Sequence, residues 1–104
     1  MAASSSNADK DNYFLLTLDY VENMVEKRAS HREEHLNGAK KASGEGYCVM
    51  AGALTDPVDT GVFVFKNCSR EKVETFVKND AYYRAGLIPS YTIRPWMVVV
   101  GGNS

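Results

Sequence analysis

The strongest constraint on this chain is the order in which two hydrophobic periods follow one another. Tyr13-Phe14-Leu15-Leu16-Thr17-Leu18 is a short, aromatic, β-prone run between polar residues. It predicts a strand buried on most of both sides. After a connection over Asp19–Met24 the period becomes helical. From about Val25 to Ser43, Val25, Ala29, Leu36 and Ala39 fall near one stripe, with Arg, Lys and Glu elsewhere. Gly38 interrupts this pattern at a cost of about 1 kcal/mol against alanine, which points to close packing or to simple tolerance. Ser43-Gly44-Glu45-Gly46 stops the helix.

Tyr47–Leu54 and Gly61–Lys66 are two further strands. The turn residues of Thr55-Asp56-Pro57-Val58-Asp59 join them as a hairpin. Ser69 is an N-cap candidate for a second helix with Val73, Phe76 and Val77 on its apolar face, ending at Asn79-Asp80. Ala81–Leu87 is a short irregular or helical piece closing near Gly86. Tyr91–Val100 is the last strand, and Pro95 inside it suits an edge or a bulge.

The order β-α-β-β-α-β is that of an α+β, ferredoxin-like split βαβ fold. It makes one antiparallel sheet with two helices on one face. The other face also carries apolar side chains. Two such sheets packed across a two-fold axis would cover it and leave a cleft between sheet and helices, so a homodimer with a small-molecule ligand is expected. The organisation expected is a flexible tail over residues 1–12, a single domain over 13–100 and a frayed end over 101–104.

Charge narrows the partners. Twelve basic and thirteen acidic residues leave a net charge of -1, with no electrostatic reason to expect nucleic acid or an anionic membrane. No segment approaches the roughly 20 apolar residues of a membrane span. Met1–Asn12 has neither the apolar run of a signal peptide nor the arginines of a transit peptide, so the expected location is cytoplasmic. Cys48 and Cys68 lack metal or redox spacing. They read as reduced, partly buried thiols, with a disulfide as the lesser alternative.

The densest polar group is Lys27–His35. On a continuous helix Arg28, His31, Arg32 and His35 share one face. A solvated face is the plain reading for such a run. His35 differs because Leu36 and Ala39 place it at the border of the apolar stripe, where it is either a satisfied boundary histidine or a group aimed into a cleft. His31 and His35 have the i, i+4 spacing of zinc helices, yet the chain has no other histidine to complete a site, and no metal is expected. No phosphate-binding glycine loop or nucleophile elbow is present. Asp80 is either a turn former or, if the two helices bring it to His35, the partner that holds and orients an imidazole.

Several pieces together resemble the YCII-related (YciI-like) proteins, from about Tyr13 to Val100. They are Lys27-Arg28, Arg32-Glu33-Glu34-His35-Leu36, Ala51-Gly52-Ala53-Leu54, Asn79-Asp80-Ala81-Tyr82-Tyr83-Arg84-Ala85-Gly86-Leu87 and Arg94-Pro95-Trp96. Ala53 and Ala81 stand where that family often has proline. The resemblance implies a dimeric α+β barrel, similar to muconolactone isomerase, with a His-Asp pair at the active site, here His35 and Asp80. It implies a small enzyme working without a cofactor. His35 would move a proton on a small organic acid by isomerisation or elimination, and Asp80 would fix its tautomer. Arg32 would bind a substrate carboxylate or else form a surface salt bridge. Gly52, Tyr82 and Tyr83 would border the substrate, with at least one tyrosine in the core. The alternative expectations are a non-catalytic, ligand-binding or stress-associated dimer and a purely structural module without a pocket.

Overall fold

The computed structural model describes residues 11–102. The N-terminal expectation for residues 1–10 and that for residues 103–104 lie outside them. Strands β1 (Tyr13–Asp19), β2 (Cys48–Leu54), β3 (Thr60–Lys66) and β4 (Ser90–Trp96) form one sheet in the order β2-β3-β1-β4. Every neighbouring pair is antiparallel. The helices are α1 (Met24–Lys27), α2 (Arg32–Gly44), α3 (Arg70–Asn79) and α4 (Ala81–Arg84), with a 3-10 turn at Ala29–His31 between the first two. This is the α+β, ferredoxin-like arrangement expected. β1 and β3 are central, and the proline-bearing β4 is an edge strand, where a missing backbone donor is tolerated.

Alternation along the strands sends one set of side chains to each face. Leu16, Leu18, Phe63, Phe65 and Ile93 point to the helices and are buried. Leu16 lies opposite both Phe63 and Ile93, at the centre of the sheet. Val73 and Val77 of α3 close the layer. Ser69 is the N-cap, its side chain accepting from Lys72 N at 3.1 Å. The other face holds Leu15, Val62, Val64, Met50, Leu54 and Trp96, of which Met50 is 68% and Trp96 46% exposed.

Two expectations need correction, and of the two reasons open for Gly38 one falls away. The helix over Val25–Ser43 is broken into α1, a 3-10 turn and α2. Met24, not Val25, is buried as a result, and Val25 is 51% exposed. The tighter 3-10 turn shifts the phase of the stripe. The buried positions on α2 are His35 and Ala42. Gly38 is not there for close packing, since no atom lies within 4 Å of where its Cβ would stand. Finally, β4 ends at Trp96. Met97, Val99 and Val100 continue beyond the ladder with their side chains exposed.

Leu16 has no exposed surface. Leu16→Ala is expected to cost about 2–5 kcal/mol, read as a fall in the urea midpoint with an unchanged slope.

Candidate functional site

Asp80 lies between α3 and α4 and is extended, with φ -69° and ψ 139°. That conformation makes it the N-cap of α4, and its Oδ2 accepts a hydrogen bond from Tyr82 N at 3.0 Å. Ala81 takes the first helical position, where no backbone donor is needed within the helix. Gly86 ends the short helix at φ 78°, a left-handed conformation that favours glycine.

The second carboxylate oxygen reaches across to α2. His35 Nδ1 stands 2.6 Å from Asp80 Oδ1, and both residues are buried. A carboxylate can only accept, so the shared proton sits on Nδ1, and the neutral ring keeps its lone pair on Nε2. Nε2 has no protein partner among the described residues and is not sealed from solvent. The ring is further held by Tyr82, stacked at 3.7 Å and 8° from parallel, and by Phe63, edge-on at 5.9 Å. On the outside an exposed Arg84–Glu34 ion pair ties α4 to α2 and contributes less than about 1 kcal/mol.

His35 opens onto a cavity of about 630 Å³ between α2 and the edge strand β2. Leu36, Ala39, Val49, Ala51 and Phe63 give it apolar walls, while Arg28, Arg32 and Lys40 supply cations. Gly52 lines it too, with open space where a Cβ would stand. Cys48 also lines the cavity, but it is a free thiol whose pKa is pushed up, first by burial, so it stays protonated at neutral pH. Cys68 is likewise free. Among the described residues no group of three His, Cys, Asp or Glu side chains is placed to hold a metal ion. No helix there is long and apolar enough to cross a membrane.

Of the residues singled out from the sequence, His35, Arg32, Gly52 and Tyr82 border this cavity, and Asp80 sits behind His35. Tyr83 does not. Consecutive helical residues point about 100° apart, so Tyr83 turns away and packs edge-on against Tyr91 at 6.0 Å. His31 does not line the cavity either, because the 3-10 turn removes it from the face shared by Arg28, Arg32 and His35.

Tyr20 and Arg28 were missed as site residues. Tyr20 continues the alternation of Leu16 and Leu18 one step past the strand, which is the signal that would have found it. Its phenol lies over Gly61, where a Cβ would overlap it, and its ring meets Tyr82 edge-on at 6.0 Å.

Residues 13–97 match the YCII-related domain. The chain belongs to that family. No curated protein matches it closely enough to count as a relative. Among solved structures it is similar to 5-chloro-2-hydroxyhydroquinone dehydrochlorinase from Burkholderia phenoliruptrix AC1100, in complex with 2,5-dihydroxybenzoquinone. That match has a TM-score of 0.71 at 19% identity and covers 82% of this chain and 93% of the other. A NIPSNAP family protein from Agrobacterium tumefaciens C58 matches with a TM-score of 0.58 at 12% identity, over 86% and 94% of the two chains. At these identities the likeness is one of fold.

Burial pushes the phenol pKa of Tyr20 and of Tyr82 above its ordinary value of 10.0, with the Arg28 and Arg32 guanidiniums opposing it. A group whose folded pKa is raised contributes stability that is present below its unfolded pKa and lost as pH climbs past it, because the unfolded chain ionises first. The urea midpoint is therefore expected to fall above about pH 10, and to fall less steeply in Tyr20→Phe.

Proposed function

We propose that this YCII-family chain is a small enzyme in which His35 transfers a proton on a small organic acid, with no cofactor taking part. The carrying observation is the 2.6 Å hydrogen bond from His35 Nδ1 to Asp80 while Nε2 faces the cavity. A neutral imidazole in that tautomer is a general base. Asp80 holds the ring and stabilises the imidazolium that forms when Nε2 takes a proton. Arg32, one turn before His35, binds the acid group of the substrate. The similar fold of a dehydrochlorinase supports elimination as one outcome of such a proton abstraction, and isomerisation is the other. A ligand-binding protein without turnover is the competing reading.

The same proposal includes a homodimer. Leu15, Val62, Val64 and Met50 make an apolar stripe on the sheet face away from the helices, and a second copy packed on it would remove that stripe from water.

In a screen of small cyclic and unsaturated acids, His35→Ala is expected to abolish turnover while its circular dichroism stays that of the wild type. Asp80→Asn keeps a capping side chain but loses the charge, and its kcat should drop by about 10²–10⁴-fold. Full activity in His35→Ala, or ligand binding with no turnover of any acid in the wild type, refutes the catalytic reading. Sedimentation velocity should show the wild type as a dimer at micromolar concentration and Val64→Asp as a monomer. A monomeric wild type refutes the sheet-face interface.

A further inference from the structure

Apart from Val25, every large apolar side chain exposed among the described residues belongs to one of two groups. Val49, Met50 and Leu54 are on β2, while Trp96, Met97, Val99 and Val100 are at the end of β4 and just beyond it. The second group is not a loose end. Gly102, at φ 62°, folds back so closely that a Cβ on it would stand 2.6 Å from Tyr13 Oη and 3.5 Å from Val98 Cγ1. Held in this way, the segment turns Met97, Val99 and Val100 away from the chain, at 85%, 77% and 85% exposure. Apolar side chains presented together mark a surface that another molecule covers.

The strand register selects that molecule. Cys48 pairs with Phe65, Phe65 with Phe14 and Phe14 with Pro95. Val49 follows Cys48 and Trp96 follows Pro95, so Val49–Met50 and Trp96–Val100 stand at the same end of the sheet on opposite edges. Leu54 is at the far end of β2 and takes no part. Within one chain, three strand spacings keep the two groups roughly 14 Å apart. A two-fold axis along the strands, between two stacked sheets, exchanges the edges and keeps the level. β4 of each copy then lies beside β2 of the other, and the two groups meet twice. The same rotation sets Val64 against Leu15 of the second copy, so one operation covers the outer stripe and both edges. An axis across the strands would instead put Met97–Val100 over the polar Ser90 end of β4.

Val49 and Met50 also line the cavity that His35 faces, so whatever covers them becomes part of its wall. We propose that Met97–Val100 of a second copy seats on Val49 and Met50 and completes that cavity, so that each site is built from two chains. This rests on the sheet-face homodimer proposed above. Arg94, level with Met50 on the outer face, lays its stem along the seam and keeps its guanidinium at the rim.

The seat is tested with Val49→Cys and Met97→Cys chains carrying tags of different length. Mixed, left to exchange subunits and oxidised with copper–phenanthroline, they should give a covalent heterodimer on a non-reducing gel, since a disulfide needs Cα atoms within about 7 Å. Met97→Cys alone should not join to itself. No heterodimer, where the wild type sediments as a dimer, overturns the seat and leaves the sheet-face dimer standing. A monomeric wild type removes both. The cavity is read with diethyl pyrocarbonate, which acylates a free imidazole nitrogen, using His31 outside the cavity as internal standard. Met97→Ser trims the wall without adding charge. It should raise the rate at His35 relative to His31 several-fold in a chain that still sediments as a dimer. An unchanged ratio in that dimer overturns completion of the cavity by the second copy. Monomers of Met97→Ser, with both sheet faces intact, would support the seat.

Discussion

The 2.6 Å hydrogen bond between His35 and Asp80 joins the two halves of the helical layer. A buried polar group needs its partner as a matter of stability, whatever it does later. His35 occupies a place on α2 that the stripe would otherwise give to an apolar residue, and it can do so because Asp80 meets it there. Asp80 in turn lies where α3 ends and α4 begins, and its other oxygen caps α4. Helix termination, helix–helix registration and orientation of the imidazole therefore depend on one carboxylate.

That economy shapes the cavity. α4 begins where Asp80 holds it, so Tyr82 lies flat on His35 and Tyr83 faces the β4 side. β2 stands at the open edge of the sheet, with Val49, Met50 and Leu54 all exposed in the single chain. The cavity is bounded on that side by a strand that has a neighbour on one flank only. The helical face of the sheet is closed by the chain itself; its outer face and its β2 edge are not.

Much of the fold was legible because strand period, turn residues and caps agree with one another. Ser69 caps α3 through a bond from Lys72 N, and Pro95 sits on an edge strand, as their chemistry requires. The first helix was misread because Val25 and Ala29 extend the α2 stripe in one dimension, while the 3-10 turn at Ala29–His31 breaks its phase in three. β4 was read too long because Met97–Val100 is β-prone, yet β1 offers it no further partner beyond Tyr13 opposite Trp96. For the candidate site, spacing placed His35 at a boundary but could not bring Asp80 to it across 45 residues; the family resemblance suggested that pairing, and the fold shows the contact. Tyr20 was passed over because a residue just past a strand reads as connection, although alternation carries it into the same layer as Leu18.

The parallel stack of Tyr82 on His35 gives the molecule a built-in reporter. An aromatic ring 3.7 Å away and nearly parallel shields the imidazole carbon protons that lie over its face. The chain has only two histidines, and His31 has no such neighbour among the aromatic pairs of the described residues. The two imidazole spin systems are thus distinguishable by magnetic environment alone, and the displaced pair of resonances belongs to the ring that faces the cavity.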